Sequence, residues 1–334
     1  MSRSWEHRAA YTAAVEPPFG GRATDPETLR TDIGAFLQFS IPDRRPTVRI
    51  HETVRADGYR RLSIGFGAPD GDTIPAYLLM PAGTGPFPAV IAHHQHNGER
   101  HLGKSEVCGL AGNPLQAFGP SLARSGLVVL APDSICFEDR RRQMRGLQRD
   151  PKSGTDWLQH YNEMAYRLLL GDLLMRKVLV DSASGVSLLA ALDEVDPSQI
   201  GIIGHSYGGN TVLFHAALDV RLRFACSSGA ASTYATKMAS DTGIEEAGVI
   251  PGFVKHWDIQ DLVACIAPRP LLLVSATEDP YSVDAPDVEA GGRWGYAAKG
   301  ADDALEHLRF EGSHDLTPDR FQAITDWVTG IVPR

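Results

Sequence analysis

The stretch Ile200-Gly201-Ile202-Ile203-Gly204-His205-Ser206-Tyr207-Gly208-Gly209 decides the fold. Its first four residues form an apolar run, entered through the turn-forming Asp196-Pro197-Ser198-Gln199, and read as a buried strand. Thr211 to Ala217 then reads as a helix. Between them Gly204-His205-Ser206-Tyr207-Gly208 matches G-x-S-x-G, in the strand–turn–helix setting that a nucleophile elbow requires. The glycines suit a sharp turn with no room for side chains beside the serine. Such a turn lifts the Ser206 hydroxyl above the sheet. It also aims the Tyr207 N–H at a developing oxyanion, where the helix N-terminus adds positive potential.

A serine hydroxyl is a poor nucleophile by itself, so a base and an orienting acid are expected downstream, in the order Ser, Asp/Glu, His. The apolar run Leu271 to Ser275 ends in Ala276-Thr277-Glu278-Asp279-Pro280, which makes Asp279 the candidate acid, with Glu278 and then Asp284 as rivals. Leu305 to Phe310 reads as the last strand and leads into Glu311-Gly312-Ser313-His314. His314 is the candidate base. His307 is its rival, but lies within the strand itself.

Working outward, further apolar runs at Ala89–Ala92, Leu127–Ala131 and Phe224–Cys226 alternate with helix candidates at 114–124, 161–195, 209–217, 259–266 and 319–331. This rhythm predicts an α/β fold, with a mostly parallel central sheet and helices on both faces. Tyr59–Phe66 and Thr73–Met80, joined by Pro69-Asp70-Gly71-Asp72, read as a leading antiparallel hairpin at the sheet edge. Residues 1–47 form an expected N-terminal extension with one helix, 26–39, capped by Asp25; it would either cover the site or make a subunit contact. The catalytic domain is expected over 48–334, with lid-type insertions at about 135–160 and 230–257.

His93-His94-Gln95-His96 closes the strand at Ala89–Ala92. The run lacks the H-x-H-x-D-H pattern of a metal-dependent hydrolase, so no metal is expected. The loop instead supplies the second oxyanion donor: the Gln95 backbone N–H, with that of His94 next in line. His94 and His96 are candidate pocket residues.

These motifs together resemble the α/β-hydrolases of the dienelactone-hydrolase and acetyl-xylan-esterase type. The likeness rests on the Gly204–Gly209 elbow, on Cys265-Ile266-Ala267-Pro268-Arg269-Pro270-Leu271-Leu272-Leu273 leading to Asp279, and on Gly312-Ser313-His314. It spans about 87–328. Two departures stand out. Ser206 occupies the place of the cysteine of true dienelactone hydrolases, and His93-His94 replaces the usual His-Gly. The resemblance implies a serine hydrolase that cleaves a carboxylic ester of a small or medium organic molecule without a cofactor. The alternatives are an amide- or peptide-bond hydrolase, a carbon–carbon bond hydrolase, and a non-catalytic binding module on the same fold.

Composition limits the partners. The 334 residues carry 32 Lys+Arg against 41 Asp+Glu, a formal charge of −9, which offers no footprint for nucleic acid. No apolar stretch is long enough to span a membrane, Met1–Arg8 leads into no signal-type apolar region, and the four cysteines form no C-x-x-C pair. A cytoplasmic enzyme with reduced thiols is expected, with a homodimer left open. Against the acidic background, Asp139-Arg140-Arg141-Arg142-Gln143-Met144-Arg145 is strongly basic, and Arg140 and Arg141 are candidates to bind an anionic substrate group. Tyr234 and Trp257, with Met238 and Phe253, are candidates for an apolar acyl pocket.

Overall fold

The computed structural model describes residues 25–152 and 154–332. The reading of Met1–Arg8, and the part of the N-terminal extension before Asp25, lie outside the described residues. Nine strands form one sheet: β1 (Val48–Ala56), β2 (Tyr59–Gly67), β3 (Thr73–Pro81), β4 (Phe87–His93), β5 (Val128–Pro132), β6 (Val195–His205), β7 (Phe224–Ser228), β8 (Leu271–Ala276) and β9 (Leu305–Phe310). Their order is β1-β2-β3-β5-β4-β6-β7-β8-β9. The first three and the β3–β5 pairing are antiparallel, and every pairing from β5 onward is parallel. The expected hairpin is therefore not the edge. β1 lies outside it; Val48, Ile50, Val54 and Ala56 alternate along it, but Glu52 interrupts them and the strand is mostly exposed.

Because successive strand residues point to opposite faces, the parallel strands feed two cores. Ile91, Leu130 and Ile202 face one; Val90, Val129 and Ile203 face the other. The first core is covered by α1 (Pro26–Phe36), α5 (Leu174–Leu189), α6 (Tyr207–Leu218), α8 (Ile259–Ile266) and α9 (Ala285–Ala298). The second is covered by α3 (Phe118–Arg124) and α10 (Pro318–Ile331). Short α2 (Lys104–Val107), α4 (Gly154–Leu169) and short α7 (Tyr234–Ala239) lie in the connections. All four cysteines are buried and free. Among the described residues no helix is long and apolar enough to cross a membrane.

Helix α1 begins where Asp25 accepts hydrogen bonds from the N–H groups of Glu27 and Thr28, both at 3.1 Å. Leu29, Ile33 and Leu37 are buried against α6 and α8, and Arg30 donates to the Ala217 and Cys265 carbonyls near the ends of those helices. This helix does not cover the site: none of its residues lines the cavity described below. The helix expected over 161–195 is two helices, α4 and α5, broken at Gly171 with a φ of +74°. Helix α9 was not legible in the sequence because three glycines interrupt its pattern. Two of them permit contact with α8: a Cβ on Gly292 would lie 2.4 Å from Val263 Cγ1, and one on Gly295 2.5 Å from the Ala264 carbonyl oxygen.

Candidate active site

Strand β6 ends at His205 and α6 starts at Tyr207, leaving Ser206 alone in the turn with φ 57° and ψ −119°. That left-handed backbone is costly for a side-chain-bearing residue, by about 1–3 kcal/mol, and is held by its surroundings. The Ser206 N–H donates to the Ser228 carbonyl at 2.8 Å. A Cβ on Gly204 would lie 2.4 Å from the Gly208 carbonyl carbon, and one on Gly208 would lie 2.5 Å from the His93 carbonyl oxygen. Glycine at both positions lets the turn close and lets α6 start directly against the loop after β4.

Three loops at the C-terminal ends of β6, β8 and β9 bring the remaining groups together. His314 Nε2 lies 2.8 Å from Ser206 Oγ, and His314 Nδ1 lies 2.9 Å from Asp279 Oδ1. Asp279 is 1% exposed and accepts the Tyr281 N–H on Oδ1 and the Ser282 hydroxyl on Oδ2. Burial alone would raise its pKa. The His314 hydrogen bond and charge, with the Ser282 and Tyr281 donors, outweigh burial and hold the carboxyl below its ordinary value. The two loops are laced together, with the Thr277 N–H donating to the Phe310 carbonyl and the Glu278 N–H to Gly312. Arg320 donates to the carbonyls of Glu311, Ser313 and Asp315, fixing the segment that carries His314.

The rival residues have other partners. Glu278 is exposed; Asp284 accepts from the Thr233 N–H and hydroxyl; His307 lies between Ser275 and Glu289. Two rings that sequence reasoning passed over hold His314 in place. His205 stacks on it at 5.0 Å between centroids, and Tyr281 contacts it at 4.8 Å. Gly229 makes room, because a Cβ there would lie 2.8 Å from His205 Cε1 and 3.2 Å from His314 Cε1. Burial keeps the His205 imidazole neutral, with its pKa pushed down to about 3.

The loop after β4 passes over the elbow, as the contact of Gly208 with the His93 carbonyl requires. Among the described residues no acceptor takes a hydrogen bond from the backbone N–H of Gln95 or of Tyr207. Of the two, Tyr207 lines the cavity described below. His94 is buried rather than in the cavity: its ring stacks on Tyr207, Nδ1 lies 2.8 Å from the Gln95 carbonyl, and Nε2 accepts the Ser134 N–H. That arrangement orders the Gln95 turn. Beneath it, His93 Nε2 lies 2.8 Å from Ser182 Oγ, which in turn meets His215 and through it Asp219.

A cavity of about 620 Å³ opens at Ser206 and His314. Tyr234 and His96 line it as the sequence suggested. Arg140 and Arg141 do not: Arg140 is paired with Asp72 and Asp181, and Arg141 with Asp156 and the Gly146 and Gln148 carbonyls. Their acidic partners, distant in sequence, could not be read from the basic run. Trp257 is also elsewhere, packed against Phe36 and Phe253. The sequence reading missed Trp157, Tyr161, Lys237 and Glu245, which do line the cavity. The i, i+4 spacing of Trp157 and Tyr161 on α4 was the available signal.

Two clusters of ligand-type side chains occur among the described residues, and each already holds a cation of the protein. Asp133, Glu138 and Asp139 surround the buried Lys104 ammonium. In the other, Arg100 donates to both His160 Nδ1 and Glu246 Oε1, beside His96. A metal ion at either place would meet that charge at close range.

Comparison with known proteins bears on the fold. Solved structures superpose over nearly the whole chain. A Bacteroides fragilis NCTC 9343 protein described as an acetyl xylan esterase has a TM-score of 0.74 at 16% identity, covering 93% of this chain and 83% of its own. A glucuronoyl esterase from Solibacter usitatus has a TM-score of 0.67 at 15% identity, covering 94% and 96%. The fold is that of an α/β-hydrolase. The Acetyl xylan esterase (AXE1) family model matches residues 136–230 of this chain, which include the elbow. A Bacillus subtilis (strain 168) protein bearing the hydrolase name YtaP is 29% identical over 287 residues, covering 82% of this chain and 89% of its own. The resemblance read from the motifs and the ester-hydrolase expectation both agree with these matches.

Proposed function

We propose that this α/β-hydrolase cleaves carboxylic esters through an acyl-enzyme. The observation that carries the reading is the unbroken hydrogen-bonded chain from Ser206 Oγ through His314 to Asp279, at 2.8 and 2.9 Å. Ser206 Oγ attacks the ester carbonyl while His314 Nε2 takes its proton. Asp279 holds the imidazole by Nδ1 and stabilises the imidazolium that forms. The N–H groups of Tyr207 and Gln95 receive the oxyanion, each worth about 2.7–4 kcal/mol in such sites. The imidazolium then protonates the departing alcohol, and water, activated by the same histidine, releases the acid. Esterase names among the matched proteins support the choice of ester over amide or carbon–carbon bond.

Ser206→Ala tests it. Hydrolysis of p-nitrophenyl acetate should fall by about 10⁴-fold or more, and labelling by a fluorophosphonate should disappear. Turnover retained by this variant would refute the assignment.

A further inference from the structure

A hydrogen-bonded series that the triad does not use runs between β4, α5 and α6. It begins at the last residue of β4 and ends just past α6. His93 Nε2 lies 2.8 Å from Ser182 Oγ, Ser182 Oγ lies 2.8 Å from His215 Nδ1, and His215 Nε2 lies 3.2 Å from Asp219 Oδ2. All four side chains are buried, and none lines the cavity at Ser206. The last three are the residue types of a catalytic triad with the two ring nitrogens exchanged, placed outside the cavity.

Hydrogen-bonding capacity gives the series one direction. Burial would raise the Asp219 pKa, but the Arg221 and His215 donors outweigh it and hold the carboxyl well below its ordinary value. Arg221 forks onto both carboxylate oxygens, at 2.9 and 2.6 Å, and so balances the charge without a second cation. A carboxylate only accepts, so the proton of a neutral His215 ring sits on Nε2 and Nδ1 is left as an acceptor. Ser182 then donates its O–H to His215 and keeps only lone pairs for His93, whose Nε2 must donate. The series ends on the residue whose carbonyl oxygen would lie 2.5 Å from a Cβ on Gly208, and two residues before Gln95.

We propose that Asp219, His215, Ser182 and His93 form a positioning device that fixes the Gln95 oxyanion donor against the elbow; this rests on the ester-hydrolase reading above. Helix α6 presents Tyr207 at its first turn and reaches His93 through His215 near its last, so one helix sets both donors. Arg221 extends the brace to α5, donating to Ser187 Oγ and the Ala183 carbonyl. The oxyanion exists only along the reaction path, so a loosened brace should lower kcat and kcat/KM together.

Two measurements test this. Long-range proton–nitrogen correlation spectra of histidine-labelled protein should show His93 and His215 both carrying the proton on Nε2. With p-nitrophenyl acetate, Ser182→Ala should lower kcat and kcat/KM equally, by about tenfold or more. His93→Leu should do the same, whereas His93→Gln, which keeps a donor, should retain most of kcat. Asp219→Asn takes the place of Ser182→Ala if circular dichroism melting shows that variant unfolded. His93 protonated on Nδ1, or a doubly protonated His215, overturns the direction of the series. Unchanged kcat in the folded variant, a rise in KM alone, or an equal loss in His93→Gln and His93→Leu overturns its role. Fluorophosphonate labelling of the wild type is read in parallel. Its absence defeats the ester-hydrolase reading, whereas labelling with unchanged kcat in the variants defeats the positioning role alone.

Discussion

His94, His96 and His205 are imidazoles kept neutral by burial, with pKa values pushed from 6.5 down to about 4, 3 and 3. The unfolded chain takes up these protons near pH 6.5, whereas the folded chain resists until much lower pH. Their contribution to stability is therefore complete above pH 6.5 and is lost as pH falls towards 4. Asp133 and Glu245, whose pKa values are raised by burial, act in the opposite direction, so a single-residue comparison isolates the effect. His205→Asn removes one such group. The drop in Tm between pH 7 and pH 5 should shrink relative to wild type, by the equivalent of up to about 2 kcal/mol at pH 5. An unchanged drop, read by calorimetry, would show that the ring does not stay neutral. At this scale the sequence carried Ser206, Asp279 and His314, because their chain order and the strands before them are local patterns. It did not carry His205 or Tyr281, whose role depends on a ring from another loop. Nor did it carry the fate of Arg140, which is decided by Asp72 and Asp181.

Glycine shows how element geometry decides what a residue is worth. At Gly208 an added methyl group meets the His93 carbonyl oxygen at 2.5 Å, a backbone atom that cannot move without displacing the Gln95 turn. Gly208→Ala should lower kcat by about 100-fold or more, as expected when an oxyanion donor is misplaced. Gly330, near the end of α10, has nothing within 4 Å of the same methyl position. Gly330→Ala should leave kcat unchanged and raise stability by about 0.5–1 kcal/mol in urea unfolding, since alanine favours the helix. Similar effects from the two substitutions would contradict the contact geometry. The same principle explains which elements were legible. The buried parallel strands announced themselves as apolar runs. Helix α9 was obscured by the glycines that let it pack, and β1 by Glu52, which interrupts its apolar alternation.

Across the whole molecule, α1 is an integral wall of the first core although it stands before the sheet in the chain. Ile33 is fully buried there. Ile33→Ala should cost about 2–4 kcal/mol in denaturant unfolding while kcat stays at the wild-type value, because no residue of α1 lines the cavity. A loss of kcat with stability intact would mean that the helix communicates with the site. The alternation of strands and helices made the layered architecture readable in advance; the seat of α1 on α6 and α8 depends on long-range contacts that no local pattern encodes. The far edge of the sheet has a consequence of its own. Strand β1 is exposed over most of its length, carries Arg49, His51, Glu52 and Arg55, and breaks register between Ile50 and Glu52. Another molecule adding a strand there would have to strip water from those charges and match an irregular ladder. The open side of a nine-stranded sheet is thereby guarded against fibril-like growth by the charges that interleave its apolar positions.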